Sequence, residues 1–314
     1  MIFVVFVVAN GFFTTKITKD TKRRNKNLLT VQVINSVSDM QALSERIRLA
    51  GQTIALVPTM GFFHDGHLAL MRAAKELADT VVVSLFVNPT QFAEGEDLEA
   101  YPRDLQGDLA KAGSAGTDYV FAPTAEDIYP EGFQTLVRVD QLTRRLCGPL
   151  RPGHFEGVTT IVAKLFNITK PHVAVFGQKD FQQLTVISRM VRDLNMDLRI
   201  VGVPTVREPD GLAMSSRNTY LSPEERKAAL CLSRSLALAQ EMVDAGERNA
   251  AVIRAAVEEH IRRAPFTKID YVSLCHPATL EELEAVEEET LLALAVFVGK
   301  ARLIDNRLLR FEAP

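Results

Sequence analysis

Two histidines flank a glycine in His64-Asp65-Gly66-His67, where an apolar β-type run gives way to a helical pattern. A helix start offers free N–H groups and a partial positive charge, and together these form a site for an anion. Gly66 has no side chain to hold a phosphate away from the backbone. His64 and His67 are expected to donate charge-assisted hydrogen bonds to a phosphate that gains charge as it is attacked. A single histidine here would read as a surface turn residue; the pair around a glycine at this junction points to phosphate chemistry. Zinc is disfavoured because no third ligand has suitable spacing.

Three further segments carry side chains of the right type. Asn88-Pro89-Thr90-Gln91 follows the second apolar run, and Gln91 offers a donor and an acceptor without charge. That suits a hydroxy acid, whose carboxylate Asp or Glu would repel. In Gly177-Gln178-Lys179-Asp180, the glycine permits close approach to a ribose or base, Lys179 is a cation for phosphates, and Asp180 can accept from ribose hydroxyls. Gln183, three residues on, falls on the same helix face as Asp180. Met214-Ser215-Ser216-Arg217 places two hydroxyls before an arginine, a set able to clamp the oxygens of a leaving pyrophosphate. Together with His64 and His67, this loop could face one ATP.

The elements that must position these groups follow from periodicity. Apolar runs at residues 53–58, 81–87, 119–122, 172–177 and 198–203 alternate with helical patterns at 68–79, 105–112, 158–168 and 181–194. Strands apolar on both faces and alternating with helices predict a parallel sheet covered by helices. Ligands of such sheets sit at the carboxyl ends of the strands. After Pro204 the texture changes. Ser222-Pro223-Glu224-Glu225 is a helix start, predicting a long helix to about residue 245 and a second over 249–263. Two β-like runs, 268–275 and 290–298, complete a smaller α+β unit. The predicted fold class is therefore α/β: a Rossmann-like parallel-sheet domain over residues 31–205 and a smaller α+β C-terminal domain over 206–314, closing over the site.

Composition bounds the partners. The chain has 314 residues, 47% hydrophobic and 24% charged, enough for two domains with ordinary cores. A formal charge of −3 argues against a general nucleic-acid surface, which would show a clustered basic excess. Cys147, Cys231 and Cys275 are far apart and in no metal-ligand spacing, which fits a reducing cytoplasm. Residues 1–13 are mostly apolar and six basic residues follow between Lys16 and Lys26, the reverse of a secretory signal. The apolar run is too short to span a bilayer. Residues 1–30 are expected to be a disordered, dispensable extension, and no membrane span is expected elsewhere.

With these segments in order, the sequence from about residue 31 to 310 resembles the pantoate–β-alanine ligase (pantothenate synthetase) family. That family lies in the H-x-G-H nucleotidyltransferase superfamily, related to class I aminoacyl-tRNA synthetases. The matching blocks are VPTMG and HDGH, VSLFVNPTQF, EDLEAYPRDL, LCGPLRPGHFEGVTT, VFGQKDFQQL and REPDGLAMSSRN. The resemblance implies condensation of pantoate with β-alanine through a pantoyl adenylate, releasing AMP and pyrophosphate. It implies that Met60, Gly61, His64, Gly66 and His67 line the ATP site, with His67 the nominal catalytic acid and His64 and Lys179 beside it. Gly177, Gln178, Lys179, Asp180, Val206, Met214, Ser215, Ser216 and Arg217 would also contact ATP. Gln91 would bind pantoate near the β-alanine position, and Gln183 would hold pantoate from the opposite side. Arg151 would be a wall residue. Mg²⁺ is expected with ATP, with Asp104 or Asp108 as candidates to help hold it, and a homodimer is expected.

Two other classes share parts of this pattern. A plain nucleotidyltransferase keeps the adenylyl group on its product; the glutamine pair disfavours it, and AMP release that requires an amine would discriminate. An RNA-binding relative of the synthetases would need a basic stripe, and the 110 or so C-terminal residues show none.

Overall fold

Ile54, Ala55, Leu56 and Val57 have no exposed surface, so both faces of their strand are covered. That is the environment the unbroken apolar runs call for. The computed structural model describes residues 31–92 and 98–311. The expectation for residues 1–30 lies outside the described residues.

Six strands form one sheet: β1 (Gln32–Ile34), β2 (Ile54–Thr59), β3 (Thr80–Leu85), β4 (Tyr119–Phe121), β5 (Val173–Gly177) and β6 (Arg199–Val203). The spatial order is β1-β4-β3-β2-β5-β6 and every pairing is parallel. The connecting helices are α1 (Val37–Leu49), α2 (Asp65–Leu77), α3 (Leu105–Ser114), α4 (Ala125–Ile128), α5 (His154–Thr169) and α6 (Phe181–Asp193). Alternate residues of each central strand serve opposite cores, as a strand's period of two requires. Leu56, Val82 and Phe176 pack with α1, α5 and α6, while Val57, Val83 and Val175 pack with α2 and α3. Truncating Leu56 to Ala would cost about 2–5 kcal/mol.

Chain order reverses between β2 and β5, where β3 has been laid on one side and β5 on the other. A crevice opens at the carboxyl ends of the strands on either side of such a switch point. The loops after β2 and β5 carry His64–His67 and Gly177–Asp180, so the topology alone brings them together. The register Thr59↔Leu85 sets the end of β3 at the same rim.

The chain then forms α7 (Pro223–Ala229), α8 (Cys231–Asp244), α9 (Ala250–Arg262) and an antiparallel sheet of β7 (Thr267–Cys275), β8 (Thr290–Val298) and β9 (Ala301–Leu309). Their core is Leu232, Leu236, Ile253, Val257, Leu292, Leu294 and neighbours, separate from the cores of the parallel sheet. Two expectations are corrected here. The single long helix is two, because backbone hydrogen bonding breaks at Leu230 (φ −62°, ψ −15°). The C-terminal sheet has a third strand, β9, whose alternation was hidden by Arg302, Asp305, Asn306 and Arg307. Among the described residues no helix is long and apolar enough to cross a membrane.

Candidate active site

The loop between β2 and α2 is held in an uncommon conformation. Phe62 takes φ +53°, a left-handed geometry that costs an L-residue roughly 1–2 kcal/mol. Asp108 at the start of α3, 1% exposed, receives the N–H of Phe62 at 2.7 Å and that of Phe63 at 2.6 Å. Burial pushes its carboxyl above the usual range, while these two donors pull the other way. Asp108 thus clamps the turn that presents the histidines. Asp104 caps α3 by accepting from Gly107 N–H at 2.9 Å. Neither acid, the two expected helpers for Mg²⁺, lines the cavity described next.

His64 is the N-cap of α2, and its Nδ1 accepts the Gly66 N–H at 3.1 Å. The ring lies so close that a Cβ at residue 66 would be 2.8 Å from its Cε1, so Gly66 is demanded by the imidazole as well as by any ligand. His67 Nδ1 accepts the N–H of His64 at 3.3 Å. With Nδ1 accepting, the neutral ring of each histidine carries its proton on Nε2. Burial, then the Lys179 ammonium, lowers His64 to about 4. Burial, then the neighbouring His64, holds His67 well below its ordinary value. In the free protein both groups rest as neutral donors, so any charge assistance in a bond to phosphate comes from the phosphate.

Gln91 closes a short turn after β3. The buried Asn88 orients it by donating through Nδ2 to Gln91 Oε1 at 3.3 Å and to the Gly157 carbonyl at 3.2 Å. Asn88 Oδ1 in turn accepts from the Tyr129 hydroxyl at 2.8 Å. Gln91 Nε2 lies 2.8 Å from Met60 Sδ. The turn can press onto α5 only because residue 157 is glycine; a Cβ there would collide with the Thr90 carbonyl. Of the adjacent glutamines on α6, Gln182 is spent on the loop before α5, donating to Leu142 and Arg145 carbonyls.

One cavity of about 240 Å³ gathers most of these groups. Met60, His64, Gly66 and His67 border it from the β2 end, with Gln91 from β3 and Gly177, Lys179, Asp180 and Gln183 from β5 and α6. Val206 and Met214–Arg217 complete the rim. These last two stretches meet because Met214 N–H donates to the Val206 carbonyl at 2.9 Å, closing a hairpin. Lys179 is half-buried, and burial lowers its ammonium from the ordinary value. Asp180 is the single carboxylate among the described lining residues.

Three expected residues lie elsewhere. Gly61 sits in the turn over Asp108, and Gln178 packs its side chain beneath Gly202. Arg151 lines a smaller adjoining cavity of about 60 Å³, its guanidinium 3.0 Å from His154 Nε2. The structure also adds what the motifs did not mark. Phe86, Val158, Ile161, Val162, Leu165 and Phe176 form an apolar wall of the main cavity. Their helical and strand periods were visible, but nothing in them distinguished a cavity wall from core.

The arrangement offers neutral imidazole donors, a lysine and an arginine for phosphates, two amides and an apolar wall for a compact organic acid. Comparison with known proteins agrees. The model of the family described as pantoate-beta-alanine ligase matches residues 32–308. Pantothenate synthetase of Geobacter sulfurreducens is 60% identical over 282 residues, covering 90% of this chain and 100% of that protein. The crystal structure of pantothenate synthetase from Thermus thermophilus superposes with a TM-score of 0.85 at 46% identity, covering 90% of this chain and 100% of that one. A pantoate-beta-alanine ligase from Francisella tularensis, complexed with beta-gamma ATP and beta-alanine, superposes with a TM-score of 0.74 at 33% identity, over 88% of this chain and 97% of that one. The chain belongs to the pantoate–β-alanine ligase family, enzymes that condense pantoate with β-alanine in an ATP-dependent reaction.

Proposed function

We propose that the main cavity carries out this condensation in two steps, with the roles divided among its walls. The pantoate carboxylate attacks the α-phosphorus of ATP; the bond to the β-phosphate oxygen breaks, leaving pantoyl adenylate and pyrophosphate. The amine of β-alanine then attacks the acyl carbon, and AMP leaves. No side chain becomes a covalent nucleophile, so the protein acts by placing reactants in line and stabilising developing charge.

In this reading ATP lies across the switch point. Gly177, Asp180 and Val206 take its ribose and base, and His64, His67, Lys179 and Ser215–Arg217 take its phosphates. His67 and His64 donate from Nε2 as charge grows on the phosphate oxygens. Gln91 and Gln183 hold pantoate from two sides, its methyl groups against the Val158–Leu165 face of α5. The observation that carries the reading is that both glutamines, both histidines, Lys179 and Arg217 border one cavity.

Mg²⁺ supplies charge neutralisation of the triphosphate when bound. Among the described residues no cluster of three or more His, Cys, Asp or Glu could cage a cation. Asp180, the one carboxylate of the described wall, would help hold it beside the substrate phosphates, in keeping with the preference of Mg²⁺ for phosphates plus one or two carboxylates. Residues 31–205 act as the substrate-binding domain and 206–314 as the unit that closes over it. We further assign a homodimeric, cytoplasmic enzyme, and a dispensable segment 1–30.

The test is AMP formation with ATP, pantoate and β-alanine, omitting each in turn. AMP is expected only with all three, and pyrophosphate–ATP exchange with pantoate alone. AMP release without β-alanine, or exchange without pantoate, would sink the two-step assignment.

A further inference from the structure

Asn306 and Asp305 are neighbours on β9, and neither was marked by any motif. Successive residues of a strand point to opposite faces, and these two reach different loops of the site. Asn306 Nδ2 donates to the carbonyl of Gln178 at 3.0 Å and to that of Lys179 at 2.8 Å. One amide group thus bridges consecutive carbonyls of the turn that presents Lys179. Asp305 is 2% exposed and receives both Arg207 guanidinium nitrogens, at 2.7 and 2.9 Å. Arg207 also donates to the Gly211 carbonyl at 3.1 Å, at the tip of the hairpin leading into Met214–Arg217. Asp305 Oδ1 accepts the N–H of Asn306 at 2.8 Å, tying the two arrangements to each other.

We propose that Asn306 is a positioning residue for the adenylation step: it sets Lys179 from the C-terminal sheet, and the Asp305–Arg207 pair holds the second phosphate loop in register with it. The proposal rests on the reading that Lys179 contacts ATP phosphates. The physical reasons are specific. The turn over residues 178–180 is a single 3₁₀ turn, and Asn306 is the side chain that bonds its first two carbonyls. A carboxamide supplies the two N–H groups such a pair needs, whereas a carboxylate of the same shape supplies none. Because β9 belongs to the smaller unit, the ATP-facing turn is held from outside the parallel-sheet domain.

The experiment compares Asn306→Ala, the near-isosteric Asn306→Asp, Lys179→Ala and the Asn306→Ala/Lys179→Ala pair in the full chain. Single-turnover formation of pantoyl adenylate is measured beside the reaction of supplied pantoyl adenylate with β-alanine. Either Asn306 variant should slow adenylate formation by roughly 10- to 100-fold, the scale of a misplaced contact group. The second half-reaction should stay within about threefold, and Asn306→Ala should add little once Lys179 is gone. Equal losses in both half-reactions, or an effect of Asn306→Ala that multiplies fully with that of Lys179→Ala, would overturn the proposal. Unchanged adenylation in both Asn306 variants with a slow Lys179→Ala would overturn it alone. Unchanged adenylation in Lys179→Ala would overturn the Lys179 assignment and this inference together.

Discussion

The imidazoles of His64 and His67 lie with ring centroids 4.1 Å apart and planes inclined at 38°, and each accepts a backbone N–H at Nδ1. Two rings so close cannot both carry charge cheaply in a partly desolvated loop, and the nearby Lys179 ammonium adds to the opposition. The consequence is a pair of neutral Nε2–H donors with fixed tautomers. Such donors favour phosphate oxygens more as those oxygens gain charge, which is the condition for lowering a barrier instead of merely binding substrate.

His67→Ala should therefore cut adenylate formation by roughly 10²–10³-fold, the cost of one preorganised donor to a developing oxyanion. The attack of β-alanine on supplied pantoyl adenylate should suffer much less. Single-turnover measurement of both steps checks it; an equal loss in both would make His67 a shaper of the pocket.

A pH prediction follows from the same burial. The unfolded chain protonates histidine near its ordinary value of 6.5, whereas folded His64 resists until about 4. The folded state thus binds fewer protons between these values, so this stability is complete above about pH 6.5 and lost as pH falls towards 4. Between about pH 7.5 and 4.5 the native protein should lose about 1–3 kcal/mol more than His64→Gln. Denaturant unfolding at the two pH values decides it, and parallel losses would show that His64 is solvated.

Gln91→Ala and Gln183→Ala should each weaken use of pantoate by about 1–3 kcal/mol in kcat/KM while leaving the KM for ATP within a few-fold. A fall in ATP affinity with pantoate dependence intact would place these amides on the nucleotide instead.

Asp108→Asn should loosen the histidine turn without touching the cavity wall. One of its two backbone partners would face an amide N–H in place of an acceptor, a loss of about 1–3 kcal/mol. Thermal unfolding should register that loss, and adenylation should slow while its dependence on Mg²⁺ concentration stays unchanged. A weakened Mg²⁺ dependence would restore Asp108 as a metal ligand.

What could be read without coordinates was whatever is local in sequence. Unbroken apolar runs alternating with helical periods specify a parallel sheet because both faces of each strand must be covered. His64-Asp65-Gly66-His67 at a strand-to-helix junction specifies an anion site because a helix start has spare N–H groups. The tertiary structure decided matters that depend on partners far along the chain. Asp108 showed only its charge in the sequence; the fold sets both its oxygens on N–H groups 45 and 46 residues away. The protonation state of the histidines was not legible in the motif; burial, the two rings beside each other and Lys179 favour the neutral form. Gln182 and Gln183 are the same residue type side by side, yet a helix turns about 100° between them, so one serves the loop before α5 and the other the cavity. The β9 strand, with Asn306 donating across 127 positions to the Lys179 carbonyl, had no signature because its polar residues interrupt the apolar run. Periodicity reports which side of an element is buried; only the packed chain reports against what.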